Sequence, residues 1–336
     1  MKRISTAFAT SFRTRLLAFY DAQHRKLPWR ASNDPYRVLV SEFMLQQTRV
    51  ETVIPYFQRW LARFPDVDAL ADAQPNEVLK HWEGLGYYSR ARNLQRAAQM
   101  VREQHNGAVP SNYAELKALP GVGDYTAAAV ASISYAAPHA AVDGNVKRVL
   151  SRLLDLELPS LPQLQKHAST LLDRRRPGDF NQAMMELGAT ICTPRAPACT
   201  ICPVKRLCRA RRNNTVALRP AAKPKTALPH EQTNTLVAVH DGQTLVVQRP
   251  EIGLLAGLWE FPSVDNVAGC AHIGDVMHTF THKRITYKVY VTGGRARAPA
   301  PALARARWIP FSQLNQLAMP TAQRRVAKLA LPFFGL

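Results

Sequence analysis

Acidic residues are what this 336-residue chain lacks most: 24 Asp and Glu face 44 Lys and Arg, a formal charge of +20. A surface of one sign steers polyanions in and releases their counterions on contact. Nucleic acid therefore ranks ahead of a membrane surface or the ribosome as partner, with a merely soluble basic protein as the plain alternative. Long apolar runs are also missing. The stretch Ala127 to Ala137 contains Ser132 and Ser134, stops at Pro138 and is too short to span a bilayer. The N-terminus MKRISTAFATSFRTRLLAFY has neither an unbroken apolar core nor a cleavage site, so it is expected to be a helix of the mature, cytoplasmic protein, with no membrane partner. Cysteine is scarce, with five in all. Four fall between 192 and 208, and Cys270 stands apart as an expected buried thiol. An odd, clustered set without a leader argues against disulfides and for a metal site. There is no internal repeat of fixed period.

What is present is enough apolar material, 46% of residues, for a real core and for two domains of ordinary size. Apolar residues recur at three- and four-residue spacing up to about residue 212, which predicts helices. Asp34-Pro35 opens one helix through VLVSEFMLQQT. Gln74-Pro75 opens another through VLKHW, ended by Gly84 and Gly86. Asp179 is placed to cap FNQAMMELGATIC. Residues 213–232 read as a linker. Beyond it, TLVAVHDGQTLVVQRP predicts a hairpin about Asp241-Gly242, ITYKVYV and RWIP predict strands, and the last stretch a helix. The C-terminal part, 233–336, is thus α+β.

The quartet Cys192, Cys199, Cys202 and Cys208 has the spacing C-x6-C-x2-C-x5-C. Thiolates on a tight loop ligate zinc or an iron–sulfur cluster. Zinc sites usually present two separated C-x2-C pairs and only one exists here, so the spacing leans toward a 4Fe–4S cluster. Arg195, Lys205, Arg206, Arg209, Arg211 and Arg212 surround the ligands without an acid, which suits a loop facing phosphates.

LPGVGDYTAAAV at 119–130 places Gly121 and Gly123 between helical stretches, a turn that lets backbone amides approach an anion. Twenty residues after Gly123 stands Asp143, which is either an N-cap or a functional carboxylate. Glu42 lies between Val38 at i−4 and Leu45 at i+3. A carboxyl on that apolar stripe is expected to be desolvated, with a raised pKa. The alternative is an exposed helix Glu.

The hairpin, the aspartate and the cysteine loop together make residues 20 to 208 similar to the helix-hairpin-helix glycosylases of the endonuclease III superfamily. Within it, LPWR (27–30), SEFMLQQTRV (41–50), GLGYYSRARNL (84–94), VDGNVKRVL (142–150) and FNQAMMELGATIC (180–192) resemble the adenine DNA glycosylases of the MutY type. That resemblance implies a multidomain fold. An all-α helix-hairpin-helix glycosylase domain over 1–212 carries its hairpin at about 111–130 and its cluster loop at 192–208, and an α+β Nudix-like domain follows. It implies removal of adenine mispaired with 8-oxoguanine or guanine in double-stranded DNA. Glu42 would protonate the base and handle the water. Asp143 would stabilise the cationic sugar, directly or through a covalent intermediate, with Tyr125 and Asn145 in support. A nucleophilic Lys marks the superfamily's lyases at the position Tyr125 occupies, so no Schiff-base step is expected.

Flipping the base out is needed for access. By resemblance Gln47, Thr48, Leu85, Tyr87, Gly121 and Gly123 contact DNA, and Arg25, Trp29, Arg30 and Gln182 line the adenine pocket, although Trp29 could equally be a core aromatic. A monovalent or divalent cation at the hairpin, a monomeric state and contacts with other repair proteins are further expectations. GLLAGLWEFP (253–262) resembles Nudix hydrolases, yet residues 263–275 hold only Asp265 and Asp275 as acids, so a Mg²⁺-dependent pyrophosphatase is not expected. In the MutY type this domain reads 8-oxoguanine with a Phe-Ser-His loop. Here the matching residues are Phe280, Thr281 and His282, and Thr keeps the hydroxyl.

Overall fold

The computed structural model describes residues 4–222, 227–293 and 305–334. The chain forms two bodies, Met1–Ala71 with Arg96–Pro224, and Asp72–Gln95 with Lys225–Leu336. The first body is helical. It contains α1 (Thr6–Gln23), α2 (Pro35–Leu45), α3 (Val50–Arg63), α4 (Val67–Asp72, ending at the division), α7 (Tyr113–Ala118), α8 (Asp124–Tyr135), α9 (Gly144–Leu154), α10 (Leu161–Leu171), α11 (Pro177–Thr190) and the short α12 (Arg209–Arg212). The segment 72–95 supplies α5 (Pro75–Trp82) and the start of α6 (Ser89–His105) to the second body. Among the described residues no helix is long and apolar enough to cross a membrane.

Local chemistry sets the ends of these helices. Asp34 accepts the Arg37 N–H at 2.8 Å and Pro35 fills the first turn of α2. The helix stops at Leu45, three residues short of the predicted Thr48, because Gln47 takes a left-handed φ of 57°. Asp179 does not cap α11. The helix begins at Pro177, and Asp179 sits in its first turn, paired with Arg176 at 2.8 Å. The alanine-rich face of α8 is fully buried, as the run 127–131 shows, so that apolar stretch is core.

Two glycines let α11 lie close to its neighbours. A Cβ on Gly178 would fall 2.7 Å from the Ser132 carbonyl oxygen, and one on Gly188 would fall 2.6 Å from the Asn145 Cβ. The predicted linker is only partly loose. Thr215 and Arg219 bond the Asp155 carboxylate at 2.6 and 2.8 Å, and the first strand already begins at His230.

The second body holds a six-stranded sheet of β1 (His230–His240), β2 (Gln243–Gln248), β3 (Trp259–Glu260), β4 (Ala271–Thr279), β5 (Arg284–Gly293) and β6 (Ala306–Pro310). The order is β3-β2-β1-β5-β4, with β6 paired to β2. β1 and β2 turn through Asp241-Gly242, both with positive φ, as the sequence predicts. α13 (Thr321–Ala330) packs Ala322, Val326 and Ala330 into the sheet core beside Phe261 and Met319. Cys270 is half-buried rather than buried, because it leads into the edge strand β4. No helix stands between β3 and β4 among the described residues, where a Nudix hydrolase would carry its catalytic helix.

Candidate active site

A cavity of about 940 Å³ opens in the first body. Its wall is built from the end of α2, the turn after it, the N-termini of α8 and α9, and one face of α11. Glu42, Tyr125, Asp143, Asn145, Arg25, Trp29, Arg30, Gln182, Gln47 and Thr48 all line it. The structure thus brings the expected catalytic and adenine-pocket residues together from five stretches of chain.

Glu42 is only 5% exposed, and its Oε2 is buried without a hydrogen-bond partner. Burial pushes its carboxyl up to about 7. The Tyr125 hydroxyl opposes the rise, the Asp143 charge adds to it and the Arg30 guanidinium opposes it. Asp143 is both N-cap and cavity residue. Its Oδ1 accepts the Val146 N–H at 2.7 Å and its Oδ2 accepts the Asn145 amide at 2.8 Å. Burial raises this carboxyl too, but those donors and the Arg148 charge hold it back. The wall therefore pairs a buried carboxyl raised to about 7, which holds its proton part of the time near neutrality, with one bound by two hydrogen-bond donors, an arrangement suited to breaking a glycosidic bond. The Tyr125 hydroxyl also donates to the Met185 Sδ at 3.1 Å, and burial raises its pKa well above the ordinary value.

Trp29 is buried, edge-to-face with Phe57 at 5.6 Å, so it belongs to core and cavity at once. Arg25 and Arg30 are held by a residue the sequence reading missed. Glu186, fully buried in its side chain, pairs with Arg25 Nε at 2.8 Å and Arg30 Nη2 at 2.9 Å. The arginines keep its carboxyl below the usual range against the opposing effect of burial. The signal was present, since Gln182, Met185, Glu186 and Ala189 follow helical spacing on one face of α11. Arg148, also missed, donates to the Asn145 side chain at 2.8 Å, the Gly188 carbonyl at 2.7 Å and the Cys192 carbonyl at 2.7 Å.

Cys192, Cys199, Cys202 and Cys208 line one small cavity of about 30 Å³. Burial pushes the Cys202 thiol up to about 11, and the other three thiols add to that rise. Arg152, buried on α9, donates to the carbonyls of Thr193 and Pro194 at 2.7 and 3.0 Å and reaches the Cys192 Sγ at 3.4 Å. No three His, Cys, Asp or Glu side chains among the described residues are set to hold a single metal ion.

At the hairpin, Gly121 has φ 79°, while Gly123 has ordinary extended backbone and open space where a Cβ would stand. Asp124 beside it is taken by Lys117 at 2.5 Å and Tyr113 at 3.0 Å.

The other expected contacts lie in the second body. Gly84, Gly86 and Tyr87 take positive φ values of 100°, 71° and 47°, forming a tight turn from which Tyr87, 41% exposed, projects. Leu85 is 6% exposed, its side chain packed inside in the DNA-free chain. Arg90 holds its carbonyl at 3.1 Å. Phe280, Thr281 and His282 form the β4–β5 hairpin, closed by the Phe280 N–H to the Lys283 carbonyl at 2.8 Å. Thr281 and His282 are exposed there.

Known proteins fit this geometry. The model of the HhH-GPD superfamily of base excision DNA repair proteins matches residues 40–173, and a NUDIX domain model matches 234–329. The adenine DNA glycosylase of Rattus norvegicus is 37% identical, over 96% of this chain and 78% of its own length. That of Homo sapiens is 38% identical over 96% and 74%. Among solved structures, a thermostable thymine-DNA glycosylase aligns with TM-score 0.59 at 29% identity, covering 63% of this chain and all of that one. An endonuclease III trapped as a covalent intermediate with DNA aligns at 0.54 and 26%, covering 61% and 98%. With near-full-length likeness to such enzymes, the chain belongs to the adenine DNA glycosylases of base-excision repair.

Proposed function

We propose that the enzyme hydrolyses the N-glycosidic bond of adenine mispaired with 8-oxoguanine or guanine in duplex DNA, without cutting the strand. The observation that carries this reading is the pair of cavity carboxyls, Glu42 buried with its Oε2 unpartnered and Asp143 held by two donors. Protonated Glu42 gives its proton to N7 of the flipped adenine as the bond from C1′ to N9 breaks and its electrons leave with the base. Ionised Asp143 shields the positive charge left on C1′. Water then adds to C1′ and returns a proton to Glu42. Arg25, Arg30 and Gln182 orient the base, with Glu186 fixing the two arginines. Tyr125 and Asn145 support the carboxyls. Gln47 and Thr48 at the cavity rim, the open hairpin at Gly121 and Gly123, and Tyr87 meet the DNA. Phe280, Thr281 and His282 read the base opposite.

Four thiols that line one cavity, yet are not set for a single ion, fit a 4Fe–4S cluster. When bound, the cluster supplies a structural staple and no bond-breaking chemistry. Arg148 and Arg152 tie the chain at Cys192 to α9, which starts beside Asp143. The reading places the enzyme in a bacterial cytoplasm, acting as a monomer at the nucleoid.

One observation favours a second reading, in which strand cleavage follows base release. The cavity wall includes an amine, Lys147. One assay separates the two. An A:8-oxoguanine duplex incubated with enzyme should release adenine and break only after alkali. No base release would overturn the proposal, and breakage without alkali, with borohydride trapping at Lys147, would establish the second reading.

A further inference from the structure

Segment 72–95 lies within the stretch matched by the glycosylase family model, yet it is packed into the second body. Four ties hold it there. Arg324 Nε and Nη2 reach the two Glu83 carboxylate oxygens at 2.6 and 3.0 Å. Lys80 Nζ reaches the Leu317 carbonyl at 3.4 Å. The Tyr88 hydroxyl donates to the Met319 carbonyl at 3.4 Å, and Arg92 donates to the Ala256 carbonyl at 2.7 Å.

Glu83 is the residue that ends α5 and leads directly into the turn Gly84–Tyr88. In that turn Gly84 and Gly86 take positive φ freely, but Tyr87, an L residue, is held at φ 47°, a conformation L side chains rarely adopt, so its backbone needs support. Part of that support comes from within the segment. Trp82 Nε1 and Arg90 Nη2 both donate to the Gly86 carbonyl at 3.1 Å. A further tie passes through Glu83, the residue just before the turn. Arg324 is itself anchored, donating to the carbonyls of Leu314 at 2.8 Å and Leu317 at 2.5 Å. A planar fork fixed at both ends sets position more tightly than a single flexible contact.

We propose that Arg324 is a positioning residue for opening the duplex. By clamping Glu83 it fixes the turn that presents Tyr87 to the domain whose 280–282 hairpin reads the opposing base. Recognition of that base and insertion into the stack then occur in one body. This rests on the reading above that Tyr87 meets the DNA, and takes its side chain as the wedge that enters the base stack.

The test measures single-turnover adenine release by the full chain on two substrates. One is an intact A:8-oxoguanine duplex. The other is the same pair inside a short mismatch bubble, where stacking is already lost. Arg324→Gln should slow release from the intact duplex by about tenfold to a hundredfold, as small misplacements of a working group do. The bubble substrate should lose much less. Fluorescence of 2-aminopurine beside the adenine should rise less in the variant, which a purely structural role would not produce. Glu83→Gln should reproduce the selective loss, and the double variant should add little to either alone. If Arg324→Gln does not fold, Glu83→Gln carries the test. Equal loss on both substrates, or no loss on the duplex, overturns the proposal. If Tyr87→Ala shows no duplex-selective loss, the wedge reading itself fails. If Tyr87→Ala shows it and both clamp variants do not, only the clamp is wrong.

Discussion

Free in water, Glu42 and Asp143 would ionise within about half a pH unit of each other. In the cavity burial raises both. Burial lifts Glu42 to about 7, while the capping N–H and the Asn145 amide restrain Asp143. On the proposed mechanism, release of adenine needs Glu42 protonated and Asp143 ionised. The single-turnover rate should therefore fall as pH rises through about 7, and fall again in acid as Asp143 takes up its proton. Stability has a matching slope. The folded chain holds the Glu42 proton more tightly than the unfolded chain, so stability drops as pH climbs from the ordinary 4.5 towards about 7. Glu42→Gln should flatten that slope and cut release by about 10²–10⁴-fold while leaving duplex affinity intact. Unimpaired turnover, or a rate indifferent to pH, would remove Glu42 from the acid role. Both carboxyls were legible in the sequence, one on an apolar helical stripe and one before a helix. Glu186 was not singled out: helical spacing set it on the face of Gln182, but its pairing with Arg25 and Arg30, far along the chain, shows only in the fold.

α11 shows what periodicity can and cannot supply. Its span was visible as an apolar pattern, but its packing distance was not, because that depends on what faces each glycine. At Gly188 the helix approaches Asn145 so closely that a methyl would fall 2.6 Å from the Asn145 Cβ and 3.1 Å from its Cα. Gly188→Ala must push α9 and α11 apart, at a cost of about 1–3 kcal/mol for an overpacked contact. The displacement would also disturb the Asn145 amide bound to Asp143 and the Arg148 bond to the Gly188 carbonyl. A melting curve should show the lost stability, and release should slow even well below the melting point. Full activity at low temperature would show that Asn145 tolerates the shift. β4 escaped the sequence reading for a related reason. Its alternation is interrupted by an irregularity between His272 and Gly274, so only the partner strand reveals it.

At the scale of the whole chain, the division into bodies does not follow sequence order, since segment 72–95 joins the C-terminal part. Composition had no means of showing this, because it records no contacts between distant stretches. Net charge is a whole-chain property that composition does record, and it leads to a prediction about salt. With an excess of +20, much of the affinity for DNA should come from phosphate neutralisation, which carries no information about the base. If about 6–10 phosphates are contacted, affinity for an undamaged duplex should fall by about 10³–10⁵ between 50 and 200 mM salt. The chemical step should behave differently, because Glu42 is buried and Asp143 is held by fixed donors, where ions screen little. Single-turnover release at saturating enzyme should therefore change little over that range, even as multiple-turnover rates respond to weaker binding. Filter binding and rapid-quench release on the same A:8-oxoguanine duplex would compare the two. A release step as salt-sensitive as binding would mean that surface cations, and not the enclosed carboxyl pair, set the barrier to bond breaking.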